Sequence, residues 1–226
     1  MSISVYTYHY ENDLSEKKKD CLLKSLSIDE RKKVFGYKRK IDSDISLISR
    51  FLLRNLLSPI LKVNPAEIDF FYNKYNRPYL ETIDFNVSHS GRRIVIAINR
   101  AGRVGIDIEK IRKVEEELVE LCFTESEKKY IFGKGIFELK KFFELWTLKE
   151  SFIKADGMGL SYPLKSFYFS MGNEIKINFL KKESDGEWFF NTFNIDPEYK
   201  LSLCSNCADM SNKLIKINNF SDFINE

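Results

Sequence analysis

The chain contains few of the residues from which metal and redox sites are usually built, with two histidines and four cysteines among 226 residues. The cysteines are scattered, and only Cys204 and Cys207 have a CxxC spacing. One such pair, without a second pair or a nearby histidine, is half a tetrahedral zinc site. We therefore expect no zinc centre, and free thiols favour a cytoplasmic location.

Long apolar runs are also absent. The longest apolar region, residues 45–61, is interrupted by Arg50 and Arg54, so it does not read as a membrane span. The first twenty residues contain no basic segment followed by an apolar one, and we expect no secretory signal. These features predict a cytoplasmic protein with no membrane partner.

Neither sign of charge predominates. The chain has 36 Lys and Arg against 33 Asp and Glu, a net charge of +3, which gives no general signal for nucleic-acid binding. It contains neither GxxxxGK[ST] nor GxGxxG, the two commonest nucleotide-binding signatures. With 43% hydrophobic residues, 19 Phe and 11 Tyr, it reads as a globular protein whose core is rich in aromatic rings.

The order of predicted elements indicates the fold class. Ser27 and Glu30 have the spacing of a helix-starting capping box, and apolar residues at helical spacing predict a long helix over 41–61. The β-branched run 94–98 predicts a buried strand, joined by a turn in a hairpin to a strand over 104–109. The other predicted elements are strands at 3–8 and 68–72, helices at 14–26, 114–122, 125–132 and 137–156, and strands at 166–171, 174–180, 187–195 and 199–204. Helices followed by strands, given twice, predict an α+β fold rather than a doubly wound one.

An acidic pair marks the strand over 104–109. Asp107 and Glu109 are two residues apart, so their side chains leave the same face of the strand, while Ile106 and Ile108 point into a core. Two neighbouring carboxylates repel each other unless a cation lies between them, and Mg²⁺ prefers such oxygen ligands. Taken alone, the pair is better explained by a solvated strand end with two exposed acids, because a DxE pair is common.

Two further motifs carry polar groups. In the helix over 137–156, Glu150 and Lys154 lie one turn apart, and Lys149 lies beside them. Glu150 could be a metal ligand while the two lysines contact phosphate oxygens, or Glu150 and Lys154 could form a surface ion pair. The segment Ser88-His89-Ser90-Gly91 precedes the buried strand. A histidine in such a loop is usually structural, but here the loop is followed by a predicted hairpin that leads to Asp107, which could place His89 and the carboxylates at one edge.

Together these motifs resemble the 4′-phosphopantetheinyl transferase superfamily, specifically its larger Sfp type. The matching segments are FNVSHSG at 85–91, VGIDIEK at 104–110, FELWTLKESFIKA at 143–155 and GMGL at 157–160. The resemblance covers most of the chain and implies a pseudo-dimer of two similar α+β halves joined near 100–104. We expect an N-terminal half at 1–102 and a C-terminal half at 103–226, with coenzyme A in the cleft between them.

The resemblance also implies the reaction and its residues. The phosphopantetheine arm of coenzyme A would pass to a serine of an apo acyl or peptidyl carrier protein, releasing 3′,5′-ADP, with Mg²⁺ as cofactor. The carriers would belong to nonribosomal peptide or polyketide synthesis, and the enzyme would be a monomer. The implied roles are metal ligation by Asp107, Glu109 and Glu150, catalysis by Glu150 and Lys154, and coenzyme binding by Arg31, Lys33, Arg77, Ser88, His89 and Lys149.

Two other classes remain open. A non-catalytic relative would keep the fold and lose ligands, whereas this chain has all three carboxylates and Lys154. Another Mg²⁺-dependent nucleotide enzyme would use one of the common phosphate loops, which this sequence lacks.

Overall fold

The computed structural model describes residues 2–11, 14–181 and 186–223. Its α-helices are α1 Glu16–Leu23, α2 Ile28–Phe35, α3 Lys40–Leu61, α4 Glu117–Cys122, α5 Glu125–Ile131 and α6 Leu139–Asp156. Its first six strands are β1 Ile3–His9, β2 Phe71–Tyr72, β3 Pro78–Tyr79, β4 Asp84–Ser90, β5 Arg93–Asn99 and β6 Val104–Lys110. The others are β7 Phe167–Met171, β8 Ile175–Phe179, β9 Phe189–Thr192, β10 Tyr199–Ser205 and β11 Leu214–Ile217.

Two larger sheets organise the chain. The first has the strand order β11-β1-β5-β4 and the second β6-β10-β9, while β2-β3 and β7-β8 form short two-stranded sheets. Because α3 packs on the first sheet and α6 on the second, the helix-on-sheet unit occurs twice. The predicted α+β class is confirmed, as is the long helix over 41–61.

The predicted hairpin between the strands at 94–98 and 104–109 is wrong. Strand β5 pairs with β4 and β1, whereas β6 pairs with β10 in the other sheet. Both strands are apolar on the face that meets the opposite sheet, so the turn at 99–103 serves as the crossing between sheets. A turn-rich segment between two apolar runs is compatible both with a hairpin in one sheet and with a crossing between two sheets.

The C-terminal end of the described chain returns to the first sheet. Strand β11 runs parallel to β1, with Val5 opposite Leu214 and Tyr8 opposite Ile217. The predicted division at 102/103 assigned this segment to the second half. Because Ile217 and Phe220 are buried in the core beneath α3, the last strand completes the first half instead.

The inner faces of the two sheets pack against each other. Ile3 and Val95 from the first sheet and Ile106 and Leu203 from the second share one buried cluster. Alternate residues of β6 therefore face this cluster, and the residues between them face α6. No helix within the described ranges is both long and apolar enough to cross a membrane.

A side-chain ladder joins β4 to β6 across the junction of the two sheets. Backbone N–H groups of β6 donate to side-chain oxygens at every second residue of β4, at 2.8 to 3.3 Å. The four donor and acceptor pairs are Val104 to Asp84, Ile106 to Asn86, Ile108 to Ser88 and Lys110 to Ser90. The ladder satisfies the backbone donors of β6 along this edge and fixes β4 relative to β6.

Candidate active site at the junction of the two halves

The three acidic residues of the sequence motifs face one another where α6 crosses β6. Gly105 permits this approach, because a Cβ atom at this position would lie 2.0 Å from the Ser151 carbonyl oxygen of α6. Two and four residues along β6 from this contact, Asp107 and Glu109 project on the same face towards Glu150. The structure therefore brings the predicted metal ligands into one neighbourhood.

Asp107 is 3% exposed, and its two oxygens have different surroundings. Oδ1 accepts hydrogen bonds from Ser88 Oγ at 2.8 Å and from the Lys154 ammonium at 2.6 Å. Oδ2 is buried and accepts no hydrogen bond from any described residue. A buried carboxylate oxygen without a donor is costly, so this atom is available to bind a ligand.

Glu150 is in a similar position. Its Oε1 is buried and lacks a hydrogen-bond partner in the described part of the chain. Burial raises the pKa of Glu150 to about 7, with Asp107 and Glu109 raising it further and Lys154 opposing the shift. Burial and the neighbouring Asp107 likewise raise the pKa of Glu109. The cluster thus holds more negative charge than Lys154 alone offsets.

The donor set fits a hard divalent cation. Two buried carboxylate oxygens without donors, in a group of three mutually repelling carboxylates, match the oxygen ligands that Mg²⁺ takes. Within the described ranges, however, no three His, Cys, Asp or Glu side chains already form a group close enough to hold a metal. The Lys154 ammonium instead lies against Asp107, where it provides the positive charge.

A cavity of about 330 Å³ opens beside this cluster in the first half. Its walls come from α2, α3, β4 and the β2–β3 region, and they combine aromatic rings with polar and cationic groups. The lining residues are Glu30, Lys33, Tyr37, Ser46, Ser49, Arg50, Leu53, Phe70, Tyr72, Asn76, Pro78, Phe85, Asn86, Val87 and His89. His89 also interacts with Lys154, so it stands between the cavity and the carboxylates.

The charge of the cavity is set by a triad from α2 and α3. The Glu30 carboxylate accepts a 2.6 Å hydrogen bond from the buried Arg54 Nε, which neutralises it. Arg50 lies 3.7 Å from the other Glu30 oxygen and donates through Nε to Ser46 at 3.3 Å. Because Arg54 already balances Glu30, Arg50 and Lys33 give the cavity a surplus of positive charge.

Arg50 was not among the coenzyme contacts predicted from the sequence, and the tyrosine walls of the cavity were not predicted either. Tyr37 and Tyr72 are both about half exposed at the cavity, and the Lys33 ammonium lies 5.3 Å from the centre of the Tyr72 ring. The sequence did contain one indication of this site, the acidic Glu30 on one helix and the basic Arg50 and Arg54 one turn apart on the next. Their pairing depends on how α2 packs against α3.

Four of the predicted coenzyme contacts do not line this cavity, and the position of Lys149 is the clearest case. Its side chain is completely buried, 3.0 Å from Glu127, and it donates to the backbone oxygens of Leu164 and Phe167. Neighbouring positions on a helix point in different directions, so Glu150 faces the cluster while Lys149 enters the core.

Arg31 and Arg77 do not line the cavity. Arg31 donates to the Leu26 carbonyl oxygen at 3.1 Å. Arg77 follows Asn76, which adopts the expected left-handed conformation at φ 68°. Its guanidinium pairs with Asp84 at 2.8 Å and donates to the Lys154 carbonyl oxygen at 2.8 Å. Arg77 therefore ties β4 to α6.

Ser88 does not line the cavity either. It is buried beside the carboxylates, where it donates to Asp107 and accepts from Lys154. Of the six predicted coenzyme contacts, the structure places Lys33 and His89 at the cavity.

Comparisons with known proteins give a consistent assignment. A family model described as the 4′-phosphopantetheinyl transferase superfamily matches residues 103–204, and another described as 4′-phosphopantetheinyl transferase, N-terminal, matches residues 13–101. A Bacillus subtilis 4′-phosphopantetheinyl transferase is 31% identical over 207 residues, covering 90% of this chain and 92% of that protein.

Two further relatives extend this result. The 4′-phosphopantetheinyl transferase gsp of Aneurinibacillus migulanus is 31% identical over 84% of this chain and 81% of its own length. The 4′-phosphopantetheinyl transferase Sfp of Bacillus subtilis is 28% identical over 90% of this chain and 92% of its own. With both halves matched and relatives of this identity spanning most of its length, the chain belongs to the 4′-phosphopantetheinyl transferase superfamily as an enzyme of the Sfp type.

Proposed function

We propose that the enzyme transfers the 4′-phosphopantetheine arm of coenzyme A to a serine hydroxyl of an apo acyl or peptidyl carrier protein. The reaction requires Mg²⁺ and releases 3′,5′-ADP. The observation that carries this proposal is the pair of buried carboxylate oxygens without donors, on Asp107 and Glu150, beside a cavity with surplus positive charge. Such a site suits a ligand that joins a cation to several phosphate oxygens.

Asp107, Glu109 and Glu150 are the residues that would hold Mg²⁺. When bound, the ion supplies neutralisation of the charge on the pyrophosphate oxygens. Asp107 is held on one side by Ser88 and Lys154, which leaves Oδ2 as its available ligand atom.

In this proposal Glu150 accepts the proton of the serine hydroxyl, and Lys154 stabilises the leaving group. Glu150 takes the proton directly or through a water; without a metal, burial raises its pKa to about 7. The serine oxygen forms a bond to the phosphorus that bears the pantetheine. The pyrophosphate P–O bond breaks, and 3′,5′-ADP leaves with the bonding electrons. The Lys154 ammonium stabilises the charge that develops on this leaving group.

The cavity takes the nucleotide end of coenzyme A in this proposal. Tyr37 and Tyr72 provide flat walls for a base, while Lys33 and Arg50 provide two cations for a phosphate monoester. Arginine matches the planar, multidentate geometry of phosphate oxygens. His89 lies between this end and the reacting phosphates. Arg50 thus replaces Arg31 and Arg77 in the proposed contact set.

We place the substrates and the setting in the same proposal. Resemblance to the Sfp type supports carrier domains of peptide synthetases and polyketide synthases as acceptors, and a monomeric enzyme in the cytoplasm. A panel of apo carrier domains compared by kcat/KM would rank these acceptors.

The decisive experiment measures the intact mass of an apo carrier domain after incubation with the enzyme, coenzyme A and Mg²⁺. We expect one carrier serine to gain the mass of the phosphopantetheine arm, with one equivalent of 3′,5′-ADP formed. Chelation of the metal should stop both. A folded enzyme that binds coenzyme A but modifies no carrier in the panel would contradict the proposal and favour a non-catalytic coenzyme-binding protein.

A further inference from the structure

The side chains of β4 that accept hydrogen bonds in the ladder are of a different type beside Asp107 and Glu109. At the first two rungs the acceptors are the Asp84 carboxylate and the Asn86 amide oxygen. At the last two they are the hydroxyls of Ser88 and Ser90. A hydroxyl accepts hydrogen bonds and also donates one, and this second capacity becomes available where Asp107 and Glu109 lie.

Ser88 has every hydrogen-bonding position occupied. Its Oγ accepts from the Ile108 backbone N–H at 3.3 Å and from the Lys154 ammonium at 3.2 Å. With both lone pairs engaged, its single hydrogen is directed to Asp107 Oδ1, 2.8 Å away. The hydrogen bond holds that oxygen and turns Oδ2, which is buried without a donor, towards the cluster.

Ser90 repeats the arrangement two residues further along. Its Oγ accepts from the Lys110 backbone N–H at 3.0 Å and donates to Glu109 Oε2 at 2.8 Å. Because the backbone donor is fixed in the strand, the direction of the hydroxyl hydrogen is fixed as well. Each serine therefore engages one oxygen of one carboxylate and leaves the other oxygen available.

We propose that Ser88 and Ser90 are positioning residues that orient Asp107 and Glu109, so that each carboxylate presents one defined oxygen to the divalent cation. The inference rests on the proposed function, because it concerns the proposed Mg²⁺ ligands. It also explains why β4 matters to a site whose carboxylates all lie in the other half: the first half sets the orientation of ligands that the second half supplies.

The experiment compares metal binding by Ser88→Ala and Ser90→Ala with the wild-type enzyme. Binding of Mn²⁺ is followed by the loss of its free-ion paramagnetic resonance signal, with coenzyme A present and carrier absent. Loss of partners that orient metal ligands typically costs 10–100-fold in metal affinity, and we expect a loss of that size in each variant. The Mg²⁺ concentration for half-maximal turnover should rise in parallel, while the KM for the carrier stays close to wild type.

Two further variants separate positioning from general destabilisation. Asp84→Ala removes the first rung of the same ladder at a residue that neither touches the three carboxylates nor lines the cavity, so it should leave the Mn²⁺ affinity within about twofold of wild type. Ser90→Thr keeps the hydroxyl and should restore most of the affinity lost in Ser90→Ala. Thermal unfolding of each variant measures the structural contribution separately.

The outcomes distinguish the two proposals. Wild-type affinity in both alanine variants would overturn the positioning role while leaving Mg²⁺-dependent transfer intact. An equal loss in Asp84→Ala would also overturn it, since the ladder would then act only through stability. If the wild-type enzyme binds no Mn²⁺ and transfers the arm without a divalent cation, the metal part of the proposed function fails instead. Should Ser88→Ala not fold, Ser90→Ala and Ser90→Thr decide the question.

Discussion

The two halves of the molecule contain the same buried device, built from different residues. In the first half, Glu30 is the third residue of a capping box started by Ser27. In the second, Glu127 has the same place in a capping box started by Thr124. Each glutamate lies in the first turn of a short helix. It pairs with a buried cation on the long helix that follows, which is Arg54 on α3 or Lys149 on α6.

The correspondence extends to the groups around each cation. Arg54 donates to two backbone oxygens, those of Pro65 and Ile68, and its guanidinium lies 5.0 Å from the Phe70 ring centre. Lys149 also donates to two backbone oxygens, and its ammonium lies 4.3 Å from the Phe167 ring centre. This repeat of contacts marks the two halves as structurally similar units although their sequences differ.

The difference between the two devices relates to function. The Glu127–Lys149 pair is completely enclosed, with no exposed side-chain area on either partner. Around Glu30 there is a second arginine, Arg50, whose side chain is 28% exposed and lines the cavity. One copy therefore serves as a closed support beneath the helix that carries Glu150. The other opens towards the cavity, so one type of packing unit is closed in one half and partly exposed in the other.

The largest effect on stability is expected for Glu127→Gln. This change leaves the ammonium of Lys149 buried without its counter-charge, which costs about 3–5 kcal/mol of unfolding free energy. Urea denaturation followed by circular dichroism measures it. The double variant Glu127→Gln/Lys149→Met should recover most of the loss. A single variant as stable as wild type would show that the pair is not the closed support we describe.

Glu30→Gln should cost less, although its carboxylate makes the shorter contact. Arg54 keeps its two backbone acceptors, and water in the cavity can reach the network through Arg50, so we expect about 1.5–3 kcal/mol, typical for a hydrogen bond to a charged group. The same denaturation measurement tests it. A loss equal to or larger than that of Glu127→Gln would break the distinction between an open and a closed device.

Arg50→Ala tests whether the partly exposed arginine of the first half contacts a phosphate of coenzyme A. Removal of one charge-assisted phosphate contact should raise the KM for coenzyme A about tenfold, equivalent to about 1.4 kcal/mol, and should change the KM for dephospho-coenzyme A much less. Steady-state kinetics with the two substrates measure this discrimination. Arg31→Ala, which removes a cation of α2 that does not line the cavity, is the matched comparison. If discrimination falls in Arg31→Ala and not in Arg50→Ala, the contact predicted from sequence stands and the cavity assignment is wrong.

The smallest effects are expected for the caps. Ser27→Ala and Thr124→Ala each remove the hydroxyl that starts a capping box, and each should cost about 1 kcal/mol. Ser27 Oγ accepts from the Glu30 backbone N–H at 3.3 Å, whereas Thr124 Oγ1 donates to the Glu127 carboxylate at 3.0 Å. Because Glu127 also balances the buried Lys149, we expect the larger loss for Thr124→Ala in unfolding experiments, and an equal or smaller loss there would contradict this.

Much of the site could be predicted from the sequence because its residues lie on regular elements. Alternation along a strand placed Asp107 and Glu109 on one face, and helical spacing placed Lys154 one turn from Glu150. These relations depend only on local backbone geometry. Lys149 was assigned wrongly because the motif surrounds it with functional residues, whereas its direction into the core depends on how α6 packs against α5 and β7.

The sequence by itself determined the α+β class, the Ser27–Glu30 capping box, the long helices and the family, since each depends on local propensity or on contiguous motifs. Only the tertiary structure decided that β5 and β6 belong to different sheets, that β11 returns to β1, and that Arg50 lines the cavity. It also decided that Ser88 and Ser90 face the carboxylates. These features depend on contacts between residues far apart in the chain, and several partners satisfy the same local pattern until packing and hydrogen bonding select one.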